Sequence, residues 1–485
     1  MREVKRLMLL VLVGVGAVSG SAAELKIGFA RTDITPPLGV SMPGYYQMRH
    51  AKEILDPLQI NCLAFSDGAK TAFLMQVDTM CLSSWVAERM RDAIIAATGT
   101  DRDSIMLHAS HTHDGGNLSM NLKRGNVVVG EKAEPLTELY VRMTATRAAD
   151  AAVEAIRDLK VAKLSYNRSF ARRISFGRRY KMKDGKVRTN PGTNNPDIVG
   201  PAGNPPDESV QVLRIDRAGG KPICLINFQT HPDVVGGETI TADWPGLART
   251  VFEGATLGQT HCLVINGTQG DVNHCNVMPK PGELNGLTRD FDAVDRGYDH
   301  AWHMANVIAG AALSVWLKCI PLATGPINTA TRTVRVPSQR PNAKELAWAK
   351  DVWAKHEAGK DAELPWKDME LTTEVARAGR MMRLADGPDY FDLPIIGISI
   401  GKSVAFGGFP GEPFNEIGTA VKKNSPFTLT IPACLVNGSR GYFPFSDAYT
   451  QGGYESATSP FGPTVADDLI KGQGQLLEDL YRHGQ

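Results

Sequence analysis

Neither sign of charge dominates this sequence. Its 53 Lys and Arg against 52 Asp and Glu leave a formal charge of +1 over 485 residues. No long Lys/Arg run appears, so the chain presents neither the basic stripe that grips nucleic acid nor a polybasic segment for an anionic membrane. Beyond residue 23, no stretch reaches the ~18 apolar residues that a membrane-spanning helix needs. Cysteine is sparse: seven, an odd number, with no C-x-x-C among them. Cys62, Cys224, Cys262 and Cys434 sit in apolar, strand-like surroundings, so buried thiols are expected, with room for one or two disulfides. No repeat of 20–50 residues and no low-complexity linker divides the chain, which excludes solenoid architectures.

What is present begins with the first 23 residues. Arg2, Lys5 and Arg6 precede an apolar run from Leu7 to Val18, and Ser21-Ala22-Ala23 supplies small residues for cleavage before Glu24. The run is too short to span a bilayer, so it reads as a signal peptide over residues 1–23 of a secreted or periplasmic protein. Residues 24–485 then form one large domain or two. Strand-like runs at Thr71–Val77, Ser104–His108, Ile223–Gln229, Cys262–Asn266, Ile395–Phe406 and Thr428–Val436 alternate with helical patterns. The helical patterns are Ser84–Ala97, ending before Gly99, then Pro135–Leu159, Arg296–Lys318, Ala343–Ala358 and Val465–Arg482. The mixture predicts an α/β body with mixed sheets covered by helices. Gly401-Lys402 reads as a two-residue hairpin loop, and Arg172–Asp207, rich in Gly, Pro and Asn, as a long functional loop.

Four polar clusters stand at the ends of strand-like runs. In Ser110-His111-Thr112-His113-Asp114, histidines two apart on an extended backbone point the same way and reach one site, although alone such a pair equally fits a satisfied core or surface pair. His231, in Gln229-Thr230-His231-Pro232, is held between a buried strand and a proline; this suits a metal ligand or a purely structural role. In Asn266-Gly267-Thr268-Gln269-Gly270-Asp271-Val272-Asn273, glycines let the backbone approach a ligand and Asp271 can orient a group or accept a proton, or the segment is a tight turn capped by Asp. The fourth cluster has two parts, Phe409-Pro410-Gly411-Glu412-Pro413-Phe414 and Gly441-Tyr442-Phe443-Pro444 with Tyr454-Glu455. Glu412, between Gly411 and Pro413, is conformationally fixed as a ligand should be, or is an exposed loop carboxylate. Together the clusters supply His, His and a carboxylate, a set that holds catalytic zinc with room for water. Such an ion lowers the pKa of its water to about 7 and polarises a carbonyl.

In order, these blocks resemble those of the neutral/alkaline ceramidases: S/T-H-T-H, H-P, G-D-V-S-P-N, G-E and G-Y, with Asp33-Ile34-Thr35-Pro36 and Pro43-Gly44-Tyr45 similar to the family's opening. The resemblance runs from residue 26 to about 465. It implies a neutral-ceramidase-like catalytic domain with one Zn2+ per chain on His111, His231, Glu412 and Tyr442. It also implies that His113 and Tyr454 serve the substrate carbonyl or its oxyanion, and that Arg168 is a substrate-side arginine. Two features depart from the family pattern. Asn273 stands where the family has serine, and an amide is a poor nucleophile. The family's C-terminal immunoglobulin-like domain is not expected after residue 465.

Three functions follow as expectations. The first is a zinc-dependent hydrolase acting on an N-acyl amide or related acyl bond, with a small-molecule or lipid substrate. The second keeps the zinc but takes a saccharide substrate, cleaved at an ester, amide or glycosidic bond. The third is a non-catalytic binding protein, against which the retained ligand set speaks. A metallophosphoesterase is excluded by the block order and by the lack of an early Asp-x-His pair.

Overall fold

The computed structural model describes residues 24–45, 49–119, 134–280, 290–291, 294–295 and 297–484. Residues 1–23, read from sequence as a signal peptide, lie outside them. Eight strands form the main sheet: β1 (Lys26–Asp33), β2 (Gln59–Ser66), β3 (Thr71–Val77), β4 (Ile105–Ala109), β5 (Lys160–Phe170), β6 (Ser209–Arg217), β7 (Ile223–Phe228) and β8 (His261–Asn266). Their order is β8-β7-β6-β5-β1-β2-β3-β4, with the short strand Ile320–Leu322 added alongside β5. Interior pairs are antiparallel, whereas the outermost pairs, β3–β4 and β7–β8, are parallel. Parallel neighbours require a crossover. Helix α1 (Ser84–Thr98) makes one and α3 (Asp243–Ala255) the other.

Strands β2, β3, β4, β7 and β8 are buried on both faces, which explains their near-continuous apolar sequences, whereas β5 is partly exposed. Alternation along β2 sends Cys62 and Ala64 to one side and Leu63 and Phe65 to the other. The first side is covered by α1 and α2 (Pro135–Arg157) over one half of the sheet, and by α3 and α4 (Tyr298–Trp316) over the other. Against the second side packs another sheet, ordered β9 (Ile327–Pro337), β10 (Tyr390–Ile400), β11 (Val404–Gly408) and β12 (Leu429–Ala433). Phe65, Leu74, Leu213 and Leu225 meet Ile396, Ile398, Phe406 and Ile431 there. Helices α7 (Asn415–Asn424) and α8 (Val465–Arg482) cover its far side. The layers run helix, sheet, sheet, helix, the mixed α/β architecture expected from the sequence.

The main sheet curls until its two edges touch. At the end of β8 the Asn266 backbone N–H donates to His108 Nε2 on β4 (3.0 Å), and the Asn266 side-chain amide donates to the Ser110 carbonyl (3.2 Å). His108 Nδ1 lies 2.8 Å from the Cys434 carbonyl, and the Cys434 N–H donates to the Asn266 carbonyl at 3.2 Å. The segment after β12 therefore closes the seam between strands at opposite ends of the sheet order.

Helix α1 is capped by the Ser83 hydroxyl, which accepts from the Val86 N–H, and stops at Gly99 with φ 72°. Helix α5 (Ala343–Glu357) opens with a reciprocal Asn342–Glu345 capping box. It pairs with α6 (Asp368–Leu384) in a hairpin with its own small core of Ala349, Val352, Val375, Ala378 and Met381, flanked by Trp348, Trp353 and Trp366. Two expectations need correction. The β10–β11 loop has three residues, Gly401–Ser403, because Ile400 pairs with Val404 and Gly401 alone takes a left-handed φ of 53°. The stretch from Arg172 to Asp207 is not one loop: Arg179–Met182, Val187–Thr189 and Ile198–Pro201 form a three-stranded sheet whose strands are too short to show alternation. All seven cysteines are free thiols and six are buried, so none of the disulfides allowed for is formed.

Burial holds His108 down to about 4, against the pull of the Cys434 carbonyl. An unfolded histidine protonates near 6.5. The folded state therefore loses stability as pH falls from about 6.5 towards 4. A His108→Gln side chain can still donate to Cys434 and accept from Asn266 without titrating. Denaturant unfolding between pH 7 and 4.5 should show wild type losing ~2–3 kcal/mol more than this variant; parallel pH profiles would refute the assignment.

Candidate metal centre

The curled sheet brings together loops that leave β4, β7 and β8 at their C-terminal ends. His111 lies two residues beyond β4, His231 three beyond β7, and Gln269 three beyond β8. Glu412 follows β11 and pairs in parallel register with Tyr442. A circuit of backbone hydrogen bonds locks these loops to one another. His111 N–H donates to Thr79, His113 to Pro232, His231 to Val272, Gly270 to Pro413, and Glu412 to Gly441. Gly270 belongs in this circuit for a steric reason: a Cβ there would lie 2.5 Å from the Glu412 carbonyl oxygen. Its lack of a side chain thus admits the backbone that carries a candidate ligand.

Within this frame the polar atoms converge. His111 Nε2 is 3.2 Å from His231 Nε2 and 3.3 Å from His113 Nε2. Glu412 Oε2 lies 3.3 Å from both His111 Nε2 and His231 Nε2. His111 Nδ1 faces the Met80 carbonyl at 2.7 Å, and His231 Nδ1 faces the Gln269 carbonyl at 2.9 Å. A carbonyl can only accept, so both Nδ1 atoms carry the proton and both Nε2 atoms present lone pairs. Lone pairs directed at each other and at a carboxylate are mutually repulsive unless a cation lies between them. Donors bound ~2.0–2.1 Å from one ion at tetrahedral corners lie roughly 3.3 Å apart. The spacing, the burial and the fixed tautomers all fit a metal ion, which His111, His113 and His231 are close enough to share.

The charges agree. Burial, then the Arg178 cation, lowers His231 below its ordinary value, which keeps it neutral. Burial alone would raise Glu412; positive charge beside it on His111 and His231 draws it well below the usual carboxylate range, and a cation held between neutral histidines would act in the same sense. His113 differs from the other two histidines: its Nδ1 is buried and has no hydrogen-bond partner among the described residues, so no carbonyl fixes its tautomer.

No family model matches the sequence, and no curated protein sequence matches it significantly. Among solved structures it is similar to neutral ceramidase from Pseudomonas aeruginosa, with a TM-score of 0.69 at 16% identity, covering 96% of this chain and 75% of that one. A ceramidase complexed with C2 is similar as well, with a TM-score of 0.67 at 16% identity, covering 95% and 75% of the two chains. The fold is that of neutral ceramidase.

On this neutral-ceramidase fold the structure gathers most of the residues singled out from sequence, but by a different route in one case. His111 and His113 reach one site through a left-handed kink at His111 (φ 76°), not along an extended strand, because β4 ends at Ala109. The Tyr442 ring stacks near His231, with centroids 6.4 Å apart, and Tyr454 packs edge-on against Tyr442 at 5.7 Å. The Asp271 carboxylate accepts from the Asn415 N–H at 2.7 Å and so anchors the start of α7. Asn273 is buried, its amide turned to Asn190 (3.3 Å) and to the Cys275 N–H (3.0 Å). Arg168 is not brought to the cluster. It lies on the exposed side of β5 with its guanidinium over Phe170.

Arg178, ten residues later, is the arginine that the fold delivers. It is buried, with its guanidinium over the Tyr442 ring at 5.4 Å and a 2.6 Å bond from Nε to Glu455. Glu455 is fully buried and also accepts from Thr189. The sequence signal for both was faint: Arg178 falls inside the stretch read as a functional loop, and Glu455 follows Tyr454 directly.

Burial raises Asp271 to about 6, against the pull of its hydrogen bond from Asn415 and of Arg179. A carboxyl raised in the folded state costs nothing below about pH 4; its penalty grows between about 4 and 6 and is complete above that. Asp271→Asn keeps an acceptor for Asn415 but cannot ionise. It should be more stable than wild type by ~1–3 kcal/mol at pH 8 and equal to it near pH 4, measured by denaturant unfolding. Equal stabilities at both pH values would mean that Asp271 is not held protonated.

Proposed function

We propose that this protein is an exported, zinc-dependent hydrolase of an N-acyl amide or related acyl bond. One observation carries the reading: in a neutral-ceramidase fold, two histidines with tautomers set by carbonyls direct their Nε2 lone pairs, with Glu412, at one buried point. His111, His231 and Glu412 would hold the ion, with Tyr442 as fourth ligand, paired beside Glu412. Zinc in such a site lowers the pKa of water and polarises a carbonyl. The rest of the chemistry falls to the chain. His113, whose tautomer is free, donates from Nε2 to the oxygen on which charge develops, and the Tyr454 hydroxyl shares that task. Arg178 over the Tyr442 ring favours its phenolate. Glu455 balances Arg178 and fixes its position. Asn273 is a positioning residue that holds the 273–275 turn and Asn190; it supplies no nucleophile. Export is supported by the basic-then-apolar residues 1–23. Among the described residues no helix is long and apolar enough to cross a membrane.

A saccharide or similarly polar substrate is the second reading. A cavity of about 1080 Å³ abuts the site at Thr189 and Gly453, and charged side chains such as Arg188, Glu370 and Glu374 line it. An alkyl chain would gain little there.

Purified protein should carry close to one zinc per chain by elemental analysis. His111→Ala, His231→Ala and Glu412→Ala should lose it and remain folded, because a core of this size does not rely on the ion. His113→Ala and Tyr454→Phe should keep the zinc but slow turnover of an N-acyl amide ~10²–10³-fold. Two ions per chain, or none in an active preparation, would overturn the assignment. Asn273→Ala should also keep its zinc, with no acyl-enzyme accumulating and oxygen-18 from solvent entering the acid product within a single turnover. A trapped acyl-enzyme would restore a covalent route.

A further inference from the structure

Seven arginines are buried among the described residues, and six of them have a carboxylate at 3.8 Å or closer. Arg49 pairs with Asp114, Arg91 with Glu88, Arg178 and Arg179 with Glu455, Arg217 with Asp158, and Arg249 with Asp78. Arg380, on α6, is the exception. It is the most buried of the seven, at 2% exposure, and no carboxylate of the described residues pairs with it. Its Nη1 donates to the Gln339 carbonyl at 2.9 Å, and its buried Nε has no partner. Burial draws it down to about 10, so it remains a cation at neutral pH. A buried charge without a counter-ion is costly and is seldom retained without a partner.

Arg380 lines the cavity of about 1080 Å³ described above, at the upper end of small-molecule pockets. The other cations on that wall are either satisfied or out in solvent. Arg377 is paired with Glu374, Arg188 with Asp184 and Glu370, and Arg340 with Asp389, while Lys186 and Lys367 are exposed. Glu345, the nearest carboxylate to influence Arg380, is committed to the cap of α5. With Nη1 used, the Nε–Nη2 edge of the guanidinium is left without a protein acceptor, and this edge matches the two oxygens of an oxyanion. We propose that the cavity binds a small polar molecule carrying a carboxylate, sulfate or phosphate group, anchored by Arg380. The inference goes beyond both readings of the reaction, since it concerns a wall that the metal ligands do not form. Through Thr189, which both lines the cavity and bonds Glu455 and the Tyr454 N–H, an occupant would adjoin the proposed catalytic residues.

Calorimetric titration at pH 7 with sulfate, phosphate and glucuronate, and with glucose as the uncharged control, tests the proposal. At least one oxyanion should bind where glucose does not. Arg380→Gln should weaken that binding tenfold or more, and Arg377→Gln, already paired, should leave it unchanged. The titration is repeated on metal-stripped protein, where binding should persist. Sulfate or phosphate matching glucuronate would mean that the oxyanion alone is read; glucuronate alone would mean a sugar acid, and both support the site. Absence of binding, equal binding to Arg380→Gln, or loss of binding on stripping the metal would each overturn it. Should Arg380→Gln fail to fold, wild-type crystals soaked in selenate decide instead: an anomalous peak beside Arg380 supports the site, and peaks only elsewhere overturn it. A negative result leaves the hydrolase reading intact, because that rests on the metal content.

Discussion

The contact on which the rest depends is the seam between β4 and β8. Strand pairing alone leaves these strands at opposite ends of the sheet. His108, Asn266 and Cys434 join them with hydrogen bonds in a fully buried place, where an unmade bond costs ~1–3 kcal/mol. Once the seam is closed, the loops after β4, β7 and β8 open on one point, and the loop after β11 enters between them. The two parallel edge pairs matter for the same reason, since only a crossover strand can end at the same side of the sheet as its neighbour.

That convergence has an electrostatic consequence. His111 and His231 are paired outwards in ways that fix their tautomers, and what they direct inwards, together with the Glu412 carboxylate, is electron density. A hydrophobic core of the same shape would be easier to fold. The left-handed backbone at His111, strained for a residue with a side chain, points the same way. Arg178 and Glu455 form the opposite arrangement, a saturated ion pair that lies against the Tyr442 ring.

How much of this could be read from the residues follows from the range of the interactions involved. Helices α1 and α8 were predictable nearly to the residue, because the caps of α1 and the periodicity of both are local. The polar blocks at strand ends named His111, His231 and Glu412, since side chains from separate strands converge where strands stop, whereas Tyr442 was singled out only through the resemblance to the neutral/alkaline ceramidases. What could not be read was long-range. Nothing near His108 says that β8 lies beside it, and nothing near Arg178 says that Glu455, 277 residues later, is its partner. Arg168 and Arg178 have equally polar neighbours in sequence, and only the register of β5 against β6 puts one of them in solvent. The short strands between Arg179 and Pro201 were hidden for a related reason: at three or four residues they carry no period to detect.

The α5–α6 hairpin has a core of its own, separate from the cores that set the sheet and its seam. It also forms one wall of the large polar cavity, while His111, His231 and Glu412 come from the sheet ends and from the chain around β11. Substitutions confined to the hairpin would therefore reshape that cavity and leave the sheet, its seam and the converging side chains where they are.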